Sequence, residues 1–192
     1  DYYHVHGPAA NLPWDGKPWQ YQFSCGLQYG SDGRPCKEHP IFFTLFENHE
    51  GTLVSRVPIS VSSLLETNAI AAELLLERSL IIPIMREQMN DDEFLVESQL
   101  LCTRFRKDLY NPHLTVYSVA THCLANYLGV DEYFIAYELS SALATLCLNL
   151  PTQVFEKLQV PDDIQMEMGE RAANLISQCD RGFAFYLLSC YG

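Results

Sequence analysis

Cys25, Cys36 and His39 are the residues whose types and spacing come nearest to chemistry in this 192-residue chain. Cys36-x-x-His39 has the short spacing of half a zinc knuckle, in a stretch with Gly30, Gly33, Pro35 and Pro40 that could fold round an ion. Cys25 is the candidate third ligand, and His49, His4 or His6 the candidate fourth. A convincing zinc site shows two such paired spacings, and this chain shows one. The competing reading is a surface loop in which a cysteine and a histidine happen to fall. His4-x-His6 alone would need a strand to bring both rings to one side.

Other reactive pairs have plain structural explanations. His122-Cys123 suggests a thiol–imidazole couple, but neighbours on a helix point about 100° apart. Thr115, Ser118, His122 and Asn126 then form a polar stripe, and Val116, Val119, Cys123 and Tyr127 an apolar one, so Cys123 reads as core. Cys25-Gly26 could place a nucleophile at a turn, with no His or Asp tied to it by spacing. Asp91-Asp92-Glu93 resembles a magnesium-binding run, yet carboxylates belong at a helix start for dipole and capping reasons. There is no glycine-rich phosphate loop, G-x-S-x-G elbow or H-E-x-x-H.

Two candidate binding features remain. Arg104, Arg106 and Lys107 form the one dense basic patch, with Arg78 and Arg86 as potential neighbours, and could receive an acidic peptide or a phosphate. The alternative is a helix end paired with Glu97 and Asp108. Tyr2, Tyr3, Trp14, Trp19 and Tyr21 lie in a segment without a core pattern. They could be a hot-spot surface for a protein partner or an arm wrapped back on its own domain.

The elements that must carry these residues divide near residue 61. Residues 1–61 hold both tryptophans and four of the six histidines, and read as an irregular aromatic arm plus a β-hairpin region. A strand is predicted over 19–29, a loop over 30–40, and a hairpin from 41–46 and 52–61. Residues 62–192 read as a helical core. Ser63 and Glu66 have capping-box spacing, Pro83 ends or kinks the first helix, and Asn90 and Glu93 cap the next. The inward stripe of that second helix is Phe94, Leu101, Cys102, Phe105 and Leu109. Asn111-Pro112 starts a third helix that Gly129 stops, and Asp131 caps a fourth that Pro151 ends. Asp162 caps a last amphipathic helix. Residues 183–188 are a docked helix or a final strand that could seat on a neighbouring subunit.

The fold class expected is therefore α+β and predominantly helical: a small N-terminal antiparallel β element, then a bundle of five or six helices. Residues 63–82 carry only Glu66, Glu73, Glu77 and Arg78, and Glu138 is the one charge between Tyr133 and Phe155. Two such helices are expected side by side at the centre, leaving little interior room for reaction chemistry.

A chain of this size can bury roughly 70% of its unfolded surface, so it needs no metal or disulfide to fold. A net charge of −12 argues against phosphate-mediated nucleic-acid binding and for a basic protein partner, with a DNA mimic conceivable. No apolar run is long and uninterrupted enough to span a membrane. Seven cysteines on mostly helical patterns suit a reducing, intracellular compartment, cytoplasmic or nuclear. The function expected is a non-catalytic scaffold or assembly domain with no cofactor. The rival is a small enzyme or zinc-dependent domain built on the Cys25/Cys36/His39 loop.

Overall fold

In the structure, a computed structural model, residues 3–191 are described; Tyr2 of the aromatic arm, Asp1 and Gly192 lie outside them. Four strands, β1 (Val5–His6), β2 (Gln20–Tyr29), β3 (Pro35–Glu47) and β4 (Leu53–Pro58), form an antiparallel sheet in the order β1-β4-β3-β2. Helices follow, so the protein is α+β and predominantly helical, as the pattern change near residue 61 implied.

The stretch 30–40 is not the expected loop. The turn occupies only residues 30–34, closed by the Gly30 amide donating to the Arg34 carbonyl at 2.8 Å, with Gly33 at φ +76°. Pro35 opens β3, where the missing N–H costs nothing, and Pro40 follows a bulge. Leu27 pairs with Pro40 and Gln28 with Cys36, so Lys37, Glu38 and His39 are the extra residues of that bulge. The two prolines that suggested a loop are thus at the positions a strand tolerates.

The helix α1 (Val61–Leu76) starts earlier than the Ser63–Glu66 spacing predicts. Ser60 is its cap, accepting from the Ser63 amide while Ser63 accepts from the Ser60 amide at 2.8 Å. A π turn (Glu77–Ile81) leads into α2 (Ile82–Gln88), so the helix runs through Pro83 instead of stopping. Proline offers no N–H, and the wider π turn just before it accommodates the broken ladder. The helix α3 (Asp91–Leu109) has the predicted Asn90–Glu93 box, and α4 (Thr115–Leu128) ends at Gly129 with φ +63°. Glu132, not Asp131, caps α5 (Tyr133–Leu148), accepting from the Phe134 and Ile135 amides. The single amphipathic helix expected from Asp162 is instead α7 (Asp162–Met168) and α8 (Glu170–Ser177), broken at Gly169 with φ +56°; a short α6 (Thr152–Phe155) precedes them.

The innermost helix is α9 (Arg181–Cys190), capped by the Asp180 carboxylate at 2.7 Å from the Phe183 amide. Phe183, Phe185 and Leu187 are completely buried among Phe42 and Val57 of the sheet and Val119 and Cys123 of α4. Gly182 allows this: a Cβ there would lie 1.9 Å from the Ile59 carbonyl oxygen. The C-terminal segment expected to dock on a neighbour is occupied by its own core.

The helices α1 and α5 do lie side by side, with Ser141 donating to Asn68 at 2.9 Å and Asn68 donating to Thr145 at 3.3 Å. They are not at the centre. Leu64, Thr67 and Leu74 of α1 are buried, whereas Leu65, Leu75 and Leu76 face out, as do Ile135, Leu139 and Leu146 of α5. Their scarcity of charge reflects surface that is apolar, not surface that is hidden.

Candidate functional site

The cysteine–histidine loop does not assemble. Cys25 pairs with Phe42, turns into the core and is nearly covered, and burial pushes its thiol up to about 11. Cys36 pairs with Gln28, three residues further along β2, or about 10 Å at strand rise. That is far beyond two sulfurs bound to one zinc at roughly 2.3 Å each. His39 stands in the bulge, with Nδ1 3.3 Å from the side-chain oxygen of Gln178, the residue that caps the end of α8. Among the described residues no three His, Cys, Asp or Glu side chains come together to hold a metal. The His4 and His6 rings do lie together, 4.6 Å apart, and His6 lies 4.8 Å from His113. His4 Nε2 is 2.8 Å from the Thr115 hydroxyl, and burial holds the His4 ring below its ordinary range, with the nearby His6, N-terminal and His113 charges adding to the effect.

The aromatic arm is wrapped on its own domain. Trp14 stacks flat on Tyr110, centroids 4.5 Å apart and 5° from parallel. Trp19 meets the edge of Tyr110 and stacks on His122, and Tyr3 lies 6.3 Å from Phe43. His122 is buried among Trp19, Phe46 and Tyr110, and its Nε2–H donates to the Leu109 carbonyl at 3.0 Å. Desolvation drives its pKa down to about 4, so it is a neutral structural base. The polar stripe of α4 is turned inward over most of its length: Thr115, Ser118 and His122 are buried, and Asn126 is exposed. Cys123 is core, as predicted, and burial holds it as a thiol.

Beside these rings lies a cleft of 270 Å³. Trp14, Trp19 and Tyr110 contribute to its wall and His49 pairs with Asp15 on its rim, Glu50 being 4.0 Å from the other ring nitrogen. The Asp15 carboxylate also accepts from the Lys17 amide, which holds its pKa below the usual range. Sequence reasoning considered His49 only as a zinc ligand; its partner is 34 residues away and carries no local signal.

The basic patch is divided. Arg104 is bound to Glu77 at 2.8 Å and lies over Phe105. Arg86 pairs with Asp91 at 3.2 Å over the Phe94 ring, and Arg78 lies 3.8 Å from Glu138 over Phe134. These pairs staple α3 to the α1–α2 rod and the rod to α5. Arg106 and Lys107 are exposed near the end of α3.

The largest feature was not foreseen. The rod and α3 form a helical hairpin that buries little: Phe105 is the one buried residue of α3, packed flat on Tyr133 at 5.0 Å, and α2 buries none. Leu75, Leu76, Leu80, Ile81 and Ile84 on the rod, with Leu95, Val96 and Leu100 on α3, stand in solvent, from 42% exposed at Ile81 to 62% at Leu75. Cys102, expected on the inward stripe, is exposed with them. The signal was present: Leu74-Leu75-Leu76 and the run 80–84 supply more apolar residues than one helix face can hide.

The fold and surface together define a predominantly helical α+β protein with an apolar helical hairpin and no helix, among the described residues, long and apolar enough to cross a membrane. Comparison with family models, curated proteins and solved structures finds no match to this chain.

Proposed function

We propose that this protein is a non-catalytic interaction or assembly module whose working surface is the α1–α3 hairpin. One observation carries this: eight large aliphatic side chains stand exposed on a single supersecondary unit. Scattered apolar residues are ordinary on a surface, but a contiguous concentration costs solubility and marks a place where something docks. The earlier ground for the same reading, an interior too full for chemistry, falls with the placement of α1 and α5. Seven free thiols support an intracellular, reducing setting.

The test is site-specific photo-crosslinking in the producing cell from Leu80 and Leu95, with exposed Glu156, which follows α6 and lies outside the hairpin, as control. Discrete adducts from the hairpin positions and not from Glu156 are expected. Equal, diffuse labelling at all three would end the reading. A second reading, a small enzyme, is favoured by the Asp15–His49 pair in its aromatic cleft. It requires a nucleophile or bound water activated by that histidine.

A further inference from the structure

The outward face of α3 has an order that the rest of the hairpin lacks. Glu93, Val96, Leu100, Thr103 and Lys107 follow one another at alternating spacings of three and four residues, and all five are exposed. That is the spacing of a coiled-coil seam, lying opposite the inward stripe of Phe94, Leu101 and Phe105. The two ends of the stripe carry opposite charge, Glu93 at the start and Lys107 at the end, with Val96 and Leu100 between them, whereas Asp91 is turned to Arg86 of the rod. A stripe that is acidic at one end and basic at the other is complementary to itself when reversed.

We propose that two copies of this chain pair through antiparallel α3 helices, with a two-fold axis at Leu100 and Glu93 of each copy facing Lys107 of the other. The register follows from numbering, because residues equally far from Leu100 in opposite directions meet. Leu100 meets its own counterpart, and Val96 lies opposite Arg104 of the second copy, beside its Thr103. A parallel pairing would set acid on acid and base on base, which is destabilising.

Charge also selects a second copy over another kind of partner. The whole chain carries −12, so two copies repel over most of their surfaces. The hairpin, residues 61–109, holds five cations against nine carboxylates, and three of the five cations, Arg104, Arg106 and Lys107, lie in the second half of α3. That basic end is where an acidic second copy finds complementary charge.

This inference rests on the hairpin being an interaction surface, and the measurements separate the two. Sedimentation equilibrium of the full chain is expected to show a monomer–dimer equilibrium. Lys107→Glu and Glu93→Lys each weaken it by about tenfold, since each sets two like-charged pairs face to face. The double variant Glu93→Lys/Lys107→Glu restores it, which no independent loss of folding could mimic. In a Cys102→Ser background, Leu100→Cys gives a covalent dimer under mild oxidation. All positions substituted are exposed, and an unchanged circular dichroism spectrum confirms the fold in each. A wild-type chain that stays monomeric to about 100 μM, or a double variant no better than the single ones, overturns the pairing. If photo-crosslinks from Leu80 and Leu95 then run to a different protein, the interaction reading survives without self-pairing; if the hairpin gives none, both fall.

Discussion

At the scale of single residues, His122 is the most strongly perturbed imidazole whose environment is fixed by packing alone. Trp19, Tyr110 and Phe46 enclose its ring, and its one polar contact is a donated hydrogen bond to Leu109, which the neutral tautomer makes as well as the cation. The ring therefore accepts a proton at about 4 when folded, against 6.5 when unfolded. Above pH 6.5 both states are neutral and the group is silent. As pH falls from 6.5 to 4 only the unfolded chain gains the proton, so stability is lost across that window and levels below it. Between pH 7.5 and 4.5 this one residue should remove roughly 2.5 kcal/mol of unfolding free energy. Replacing it with glutamine, which keeps a donor for Leu109, should lower stability at pH 7.5 and shrink the loss on acidification by about that amount. Urea denaturation of both proteins at the two pH values reads this out. An unchanged pH dependence in His122→Gln would place the acid sensitivity elsewhere, His4, also held low by burial, being next in line.

At the scale of elements, α3 is fastened to the protein by few contacts. Its stripe centres on Phe105, set between Tyr133, Phe134 and Leu74; the other ties are half-buried Leu101 and Leu109, the His122 hydrogen bond to Leu109 at the helix end, and ion pairs worth under about 1 kcal/mol each. Phe105→Ala would remove about 3 kcal/mol of packing, more than such ties supply. The amides of residues 91–109 should then exchange with solvent while those of α4 and α9 keep their protection, because local opening of a weakly held element need not involve the core. Protection lost uniformly across the chain would show that the hairpin is integral to the fold. The same weakness explains what was and was not legible in the sequence. The Asn90–Glu93 box and the Gly129 stop are local signals, each spelled by residues within a turn or two, and both match the structure; the inward stripe of α3 matches except at Cys102. The first part of β3, residues 35–40, reads as a loop in the sequence because its prolines sit at a strand start and behind a bulge, and a bulge is visible only once a partner strand sets the register. Likewise an apolar helix looks the same whether its leucines meet a core or water. Only the tertiary arrangement places α9, and not α1, in the middle.

At the scale of the whole molecule, the net charge of −12 bears on the proposed association of the protein with itself. The site is partly legible from this charge: the basic end of α3 stands out in the sequence, but as a receptor for an acidic ligand, since nothing there shows that Glu93 lies exposed on the same face as Lys107. With −12 on each copy, bringing two together at low ionic strength works against long-range repulsion. The Debye length shrinks from about 30 Å at 10 mM salt to about 8 Å at 150 mM, so the distant charges stop contributing while pairs in contact are screened less. Apolar contact between the Leu100 seams is indifferent to this range of salt. Self-association should therefore tighten as sodium chloride rises from 10 to 150 mM, on the order of tenfold, the reverse of a contact driven by a basic patch on an acidic ligand. The charge-swapped double variant has the same net charge and should follow the same curve, whereas Lys107→Glu, more acidic by two units, should show a steeper one. Association that weakens with salt would mean that Arg106 and Lys107 are meeting carboxylates outside α3, and the antiparallel register would have to give way to a docking mode in which the basic end of the helix is the main contact.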